Sequence, residues 1–427
     1  MIRISSYIRQ SLTTRHVFQP RFNSTKASRI NVPQAFEEER LPWYRADQFY
    51  PGHIGETLIS RYKVVGKLGY GAYSTVWLCR DIKASAFVSV KVCTGHGARS
   101  IGQDRELKFY EHVASLDSQH LGQAYIRGLL ETFEISGPTG KHLCLVHPPM
   151  HMTITELQRQ VPSKRLNKEL LNGTLFNLFS ALSFLHDEAN VVHAGKSPSK
   201  LYINPSNIML TLDDDSLLPA FEQAEASDPS PRKIIDDTRT IYGSRKLGLP
   251  KDALWGQPVL CDFGEVRIGP GPHRDLIQPD LYRAPEVLFE MGWDSSADIW
   301  NVGVMIWDLF QGRHLFHALD EDEEVSATHH IAEMMAYIGT PPPLGYLQRS
   351  QVTSRVFDEK GQWKNAGGVE IPPPEAMSLE RAETVLEGEE KERFLSFVRS
   401  MLKWVPEERR RAGELLRDPW LEGAIPY

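Results

Sequence analysis

The sequence predicts an α+β fold in two lobes, a small β-rich one followed by a larger helical one. Three observations predict it. Residues Arg61 to Val92 alternate apolar and polar side chains and favour β-branched types, the period-2 pattern of strands. Leu170 to His186 has the 3.6-residue apolar spacing of an amphipathic helix, and most of the chain beyond His186 shares it. Ala297 to Gln311 is apolar on nearly every face, as a helix buried at the centre of a domain must be.

The elements come in order. Glu37 to Pro51 is a polar approach segment dotted with aromatics. After the first strands, Gln103 to Leu116 reads as a helix, with Leu107, Tyr110 and Leu116 set among charges. His142 to Val146 is a short buried strand that must stop at Pro148-Pro149, where helix and ladder are both blocked. Glu390 to Trp404 and Ala412 to Leu421 are further helices. Two stretches interrupt the pattern. Leu212 to Gln257 is polar, with the run Asp213-Asp214-Asp215 and the turn-rich Ser227-Asp228-Pro229-Ser230-Pro231; a loop this long is expected to be functional or disordered. Arg349 to Glu380 is a second loop with Pro and Gly.

The 427 residues suffice for two or three average domains or one two-lobed enzyme with tails. A net charge of −7 argues against direct nucleic-acid binding. Cys79, Cys93, Cys144 and Cys261 form no C-x-x-C pair, so neither a zinc site nor a disulfide framework is indicated. No apolar run is long enough to span a bilayer. Residues 1–36 contain Arg3, Arg9, Arg15, Arg21, Lys26 and Arg29, many Ser and Thr, and no acid before Glu37. That is the composition of a mitochondrial presequence, and equally of a disordered basic tail.

The chemistry lies in a series of short motifs. Leu68-Gly69-Tyr70-Gly71-Ala72-Tyr73-Ser74-Thr75-Val76 is a glycine-rich strand–turn–strand, with Ser74 where a third glycine is usual. Such a loop approaches phosphates closely, and Val76 would pack on an adenine ring. Val88-Ser89-Val90-Lys91 places a lysine on the third strand, where it would pair α/β-phosphates and be held by a helix glutamate: Glu106, with Glu111 as the alternative. In Leu260-Cys261-Asp262-Phe263-Gly264, Asp262 would hold Mg²⁺. Tyr282-Arg283-Ala284-Pro285-Glu286 and Asp298-Ile299-Trp300 come next, and Arg409 late in the chain is placed to pair with Glu286.

Over about Arg61 to Leu421 the chain resembles the eukaryotic protein kinases, and within them the SR-protein kinases of the fungal branch. Lys67-Leu68-Gly69-Tyr70-Gly71 with Ser74-Thr75-Val76-Trp77 carries the likeness, as does His330-Ile331-Ala332-Glu333-Met334-Met335 with Ile338-Gly339. The position of the spacer, between Asn207 and Asp262, matches too. The resemblance implies a five-stranded antiparallel sheet with one helix, then a helical lobe, with ATP and Mg²⁺ in the cleft between. It implies a monomer that phosphorylates serines in Arg/Ser-rich proteins in the cytoplasm or nucleus and needs no activation-loop phosphorylation. Independently, Glu265 to Arg283 holds no Ser or Thr, leaving Tyr282 as the one residue there open to modification. The resemblance assigns Lys91, Glu106, His193 and Asn204 to catalysis. It assigns Leu68, Gly69, Gly71, Ser74, Val76, Val146 and Met150, with Lys91, to ATP, and Asn207 and Asp262 to the metal. The expected organisation is a basic segment over 1–40, a first lobe over 61–150, and a second over 151–421 with a spacer at 212–257. The acidic run Asp320 to Glu324 either attracts basic substrate or is a solvated loop.

Three departures stand out. His147-Pro148-Pro149-Met150 removes two backbone donors that could face adenine. Asn204 stands where a lysine usually neutralises the γ-phosphate. The third is the largest. A kinase has His, any residue, then the Asp that accepts the substrate hydroxyl proton. Here Val191-Val192-His193-Ala194 runs into Gly195 to Tyr202 before Ile203-Asn204-Pro205-Ser206-Asn207, and the Asp has no counterpart. Read without a gap, Gly195 takes the base position and Lys200 the metal position. Read with one, Asn207 keeps its metal role, and Asn207-Ile208-Met209-Leu210 continues correctly into a strand. A further reading comes from codons. Gly-Lys-Ser encoded as GGT-AAG-TCN contains GTAAGT, a splice-donor sequence, so a displaced intron boundary would leave His-Ala-Asp-Ile-Asn-Pro-Ser-Asn in the transcript. The sequence thus predicts a severely impaired serine/threonine kinase, or a pseudokinase acting as a nucleotide-binding or scaffold module. A small-molecule phosphotransferase is disfavoured by the Ala284-Pro285-Glu286 and Asp298-Ile299-Trp300 elements.

Overall fold

A computed structural model describes residues 34–95, 101–195, 203–251 and 254–422. Most of the basic N-terminal segment, and residues 196–202 of the catalytic-loop insert with Lys200, lie outside the described residues.

The first lobe is an antiparallel sheet in the order β1-β2-β3-β4-β6-β5. It comprises β1 (Thr57–Leu58), β2 (Tyr62–Gly71), β3 (Ser74–Asp81), β4 (Ala86–Cys93), β5 (Glu131–Gly137) and β6 (Gly140–His147). Helix α1 (Ile101–Ala114) lies between β4 and β5 in sequence. Five strands are implied by the resemblance; the sixth is the two-residue β1, which pairs Thr57 with Lys63 and Leu58 with Tyr62 at the start of the glycine-rich strand. The period-2 pattern works as predicted. Val64, Trp77, Val88, Val90, Val92, Cys144 and Val146 bury one face in a shared cluster.

The second lobe is built on α3 (Lys168–Ser183), which follows the short α2 (Ile154–Gln160), and on α5 (Ser296–Gln311). Every residue of α5 after Ser296 is buried, and Gly312 ends it in the left-handed conformation (φ 71°), where the missing Cβ removes the penalty. Helices α6 (Ala327–Ile338) and α7 (Gly388–Met401) add their apolar faces to the same core. The predicted helix over Ala412 to Leu421 is two shorter pieces, Ala412–Leu415 and a 3₁₀ turn at Pro419–Leu421. Pro419 cannot continue a helix from the preceding residues, and Asp418 caps the new turn through the Trp420 N–H at 2.9 Å.

His330 on α6 is buried, with its ring against Phe316. Burial and the nearby charge of Arg283 push its pKa down to about 3. The unfolded chain takes up this proton near pH 6.5, whereas the folded one resists until about pH 3. This contribution to stability is therefore complete above pH 6.5 and is lost progressively as pH falls toward 3. His330→Phe is expected to move the acid-unfolding midpoint, followed by circular dichroism, to lower pH. An unmoved midpoint would contradict this role for His330.

The spacer is where the structure departs most from expectation. It is ordered over most of its length, with α4 (Leu217–Ser227) and a hairpin of β9 (Arg232–Ile234) and β10 (Thr240–Tyr242) between β8 (Ile208–Leu212), which follows the two-residue β7 (Val191–Val192), and β11 (Trp255–Leu260). Phe221 of α4 packs with Val65 and Leu78, and Gly66 permits the approach: a Cβ there would lie 2.7 Å from the Phe221 ring. The Arg245 N–H donates to the Lys67 carbonyl at 2.9 Å, so the spacer covers the edge of β2 beyond the short β1. On the helical lobe, Lys246 pairs with Glu156 at 2.6 Å and the His151 ring bonds the Gly248 carbonyl at 2.8 Å. The spacer therefore touches both lobes.

Candidate active site

The glycine-rich turn joins β2 to β3. Gly69 pairs with Val76 across the hairpin and Val76 in turn pairs with Lys91 on β4, so Val76 and Lys91 share the face toward the cleft. Leu68 is the extra residue of a bulge between the Lys67–Trp77 and Gly69–Val76 pairs, and Ser74 and Gly71 close the turn. Lys91 Nζ is 2.7 Å from Glu106 Oε2 on α1. Glu111, the alternative partner, is exposed. Burial works against the charge of Lys91, yet the carboxylates of Glu106 and Asp262 hold its pKa above the ordinary lysine range.

Asp262 has a positive φ of 64°, and its carboxylate takes no hydrogen bond or ion pair from the described residues. The residues around it fix this geometry. The Phe263 ring stacks on Phe109 of α1 at 4.0 Å between centroids and meets His193 edge-on at 5.6 Å. Glu265 pairs with Arg105 of α1 at 2.8 Å. Across the β8–β11 pair, the Cys261 N–H donates to the Asn207 carbonyl at 2.7 Å, which sets the buried Asn207 beside Asp262. Below, Met150, Met209, Val259 and Cys261 form a small apolar cluster.

Val146 does not join this site. In the β4–β6 pairing Lys91 lies opposite Leu145 and Ser89 opposite His147, which puts Val146 on the other face with Val90 and Trp77. The side chain that faces the cleft side at this end is His147, which is buried; it bonds the Gly128 carbonyl through Nδ1 at 2.9 Å. Register decides this, and a register is a property of two strands, so a single run of sequence misassigns it. Two backbone groups of this segment stay open beside the prolines. The Pro148 carbonyl and the Met150 N–H remain, and neither has an intramolecular partner among the described residues.

The flanks of the catalytic loop are held firmly. Asp298, at the start of α5, accepts from the His193 N–H at 2.8 Å, the Ala194 N–H at 3.0 Å and the His186 ring at 2.9 Å. The His193 ring reaches the Cys261 carbonyl at 3.2 Å. His193 thus ties the loop to the residue just before Asp262, which positions the two relative to each other. The Gly195 carbonyl accepts from the Gln278 N–H at 2.6 Å, and on the far side Asn301 bonds the Ile203 carbonyl. Asn204 Oδ1 caps the turn over Pro205–Asn207 by accepting from the Ser206 N–H at 2.7 Å.

Two further expectations are decided by burial. Tyr282 is buried and its hydroxyl donates to Asp308, which also bonds the exposed His314, so the one hydroxyl between Glu265 and Arg283 is not presented for modification. Arg409 meets Glu286 in a bidentate pair at 2.6 and 2.7 Å, with side-chain exposures of 0% and 1%.

A serine/threonine protein kinase of Aspergillus fumigatus is 42% identical to this chain over 386 residues, covering 90% of each. The chain belongs to the protein kinase family. The protein kinase domain itself matches residues 254–421. The kinase named SRPK of Physarum polycephalum is 25% identical over 92% of this chain and 93% of its own length. A crystal structure of a kinase domain has the same fold, with a TM-score of 0.63 at 21% identity, covering 88% of this chain and 99% of that one. Membership of the kinase family implies ATP, a divalent metal and a protein substrate. The site fits the nucleotide and its metal: one ammonium and one uncommitted carboxylate beside it, a buried amide residue next in space, and an apolar patch for a base.

Proposed function

We propose that this chain is an ATP- and Mg²⁺-dependent serine/threonine kinase whose catalytic loop is disrupted, so that it binds nucleotide and transfers phosphate slowly. The observation that carries this reading is a contrast. The Lys91–Glu106 pair, the packing of Phe263 and the Asn207–Asp262 neighbourhood are assembled as an active kinase requires, while no Asp follows Ala194. In this reading Lys91 would engage the α/β-phosphates, and Asn207 and Asp262 would hold Mg²⁺, which would supply positive charge against the phosphates. Leu68, Gly69, Gly71, Ser74, Val76 and Met150 enclose the nucleotide. Asn204, as a neutral amide, gives weaker stabilisation of transferring charge than a lysine. The organisation is a basic segment over 1–40, a kinase domain over 61–421 and a bracing spacer over 212–257.

The substrate is a protein rich in Arg and Ser, with the acidic run Asp320 to Glu324 available to a basic chain. The kinase works as a monomer. Its location depends on residues 1–36: mitochondrial if they are a presequence, cytoplasmic or nuclear if they are not. The missing Asp favours one further reading, a pseudokinase scaffold that retains nucleotide.

Transfer of labelled phosphate from Mg²⁺·ATP to an Arg/Ser-repeat peptide tests the proposal. Slow transfer that disappears in Lys91→Met and Asp262→Asn supports the impaired enzyme. Transfer no faster than in those variants, with nucleotide still bound, selects the scaffold.

A further inference from the structure

Three consecutive carboxylates precede the kinase domain, and two of them meet the same lysine. Glu37 accepts from the Ser244 hydroxyl at 2.6 Å and lies 3.7 Å from the Lys67 ammonium, Glu38 pairs with Lys67 directly, and Glu39 pairs with Lys233 at 2.8 Å. Lys67 is the unusual member. It lies on β2 at the base of the glycine-rich turn, and its side chain is 1% exposed. A lysine ordinarily extends its ammonium to water along an apolar stem. This one is instead turned inward to Glu38 and to the Tyr242 carbonyl at 3.0 Å. Burying such an ion pair is costly in lost hydration, a cost that an apolar residue there would avoid. The ammonium also lies 5.2 Å from the centre of the Tyr70 ring, inside the turn itself.

The same segment reaches the turn elsewhere. The Trp43 indole N–H is 3.4 Å from the Ala72 carbonyl at the tip. Behind the tip, the Thr94 N–H donates to the Tyr73 carbonyl at 2.9 Å, and the next N–H, of Gly95, donates to the Gln48 carbonyl at 2.8 Å. Base and tip of the turn are therefore each linked to residues 36–48, and the bulge at Leu68 sits beside the first link.

We propose that residues 36–48 are a strap that sets the height of the glycine-rich turn over the nucleotide, with Glu38 as a positioning residue acting through Lys67. The nucleotide part of this inference rests on the proposed ATP site; the strap itself does not. Without the Glu38 carboxylate, the Lys67 ammonium keeps only the Tyr242 carbonyl and the more distant Glu37 carboxylate at 3.7 Å, and it leaves its buried position for water. Its departure takes the cation from Tyr70 and frees the bulged base of the turn.

Hydrogen exchange of the full-length, nucleotide-free chain tests the strap directly. Glu38→Gln is expected to raise exchange over residues 68–73 by about tenfold or more, the scale of one hydrogen bond to a charged group, and to weaken Mg²⁺·ADP binding by a similar factor in calorimetry. The double variant Glu38→Gln/Lys67→Met separates positioning from stability. It removes the unpaired buried charge, so its Tm returns toward the original, while fast exchange in the turn and weak Mg²⁺·ADP binding persist. Exchange over 68–73 that is unchanged in Glu38→Gln, or that recovers with Tm in the double variant, overturns the strap. An original chain that does not bind Mg²⁺·ADP overturns the ATP-site reading instead, and the exchange result still decides the strap.

Discussion

Replacing Gly195 to Tyr202 with a single aspartate is expected to raise phosphoryl transfer at saturating nucleotide by about 10²- to 10⁴-fold, the range a positioned general base supplies. The structure gives the reason for expecting recovery rather than collapse. His193 and Ala194 are already fixed on Asp298, Ile203 on Asn301, and Asn207 on the backbone of Cys261. Both ends of the loop are therefore anchored by residues outside it. A further factor of about 10² is expected if the longer loop displaces a reacting group by about 1 Å. Rates on an Arg/Ser peptide with Mg²⁺·ATP measure this. Equal rates in the two proteins would mean that the missing Asp does not limit this kinase. Peptides spanning Asn190 to Ile208, with transcript sequences of the same stretch, then establish which form the cell makes.

The second large effect is on stability. Arg409→Met alone is expected to destabilise the protein by about 3–5 kcal/mol, because it leaves the Glu286 carboxylate buried without its partner. At an unfolding entropy of about 2.1 cal/mol/K per residue, that corresponds to a fall in Tm of about 4–7 °C for a kinase domain over 61–421. Arg409 also bonds the carbonyls of Lys403 and Ser296, so it joins the chain after α7 to the start of α5. Adding Glu286→Gln to Arg409→Met is expected to restore part of the loss, since it removes the orphaned charge. A fall of less than about 1 kcal/mol in the single variant would place the pair among the weak surface bridges, against its burial.

Sequence and structure agree where the information is local. The Lys91–Glu106 pair and the Glu286–Arg409 pair were legible because each residue sits in a short motif with a fixed chemical task. The buried α5 was legible because Ala297 to Gln311 is apolar on nearly every face. What was not legible depends on partners distant in the chain. Val146 and His147 exchange roles through the register of β6 on β4. Tyr282 is open in its own run and closed by Asp308 from α5. The spacer reads as a polar loop because α4 buries little besides Leu217, Phe221 and Glu225, and the partners of Phe221 lie in β2 and β3. The strap was invisible for the same reason. Glu37-Glu38-Glu39 looks like a solvated acidic turn until Lys67, Lys233 and Ser244 are brought to it.

A nucleotide site that survives the loss of the catalytic base is the centre of the proposed function. Calorimetric titration of the full-length chain with Mg²⁺ and a non-hydrolysable ATP analogue tests that claim most directly. The prediction is saturable one-to-one binding that depends on Mg²⁺ and is lost in Asp262→Asn. A folded chain that takes up no nucleotide, or that binds it equally well without Asp262, would contradict it.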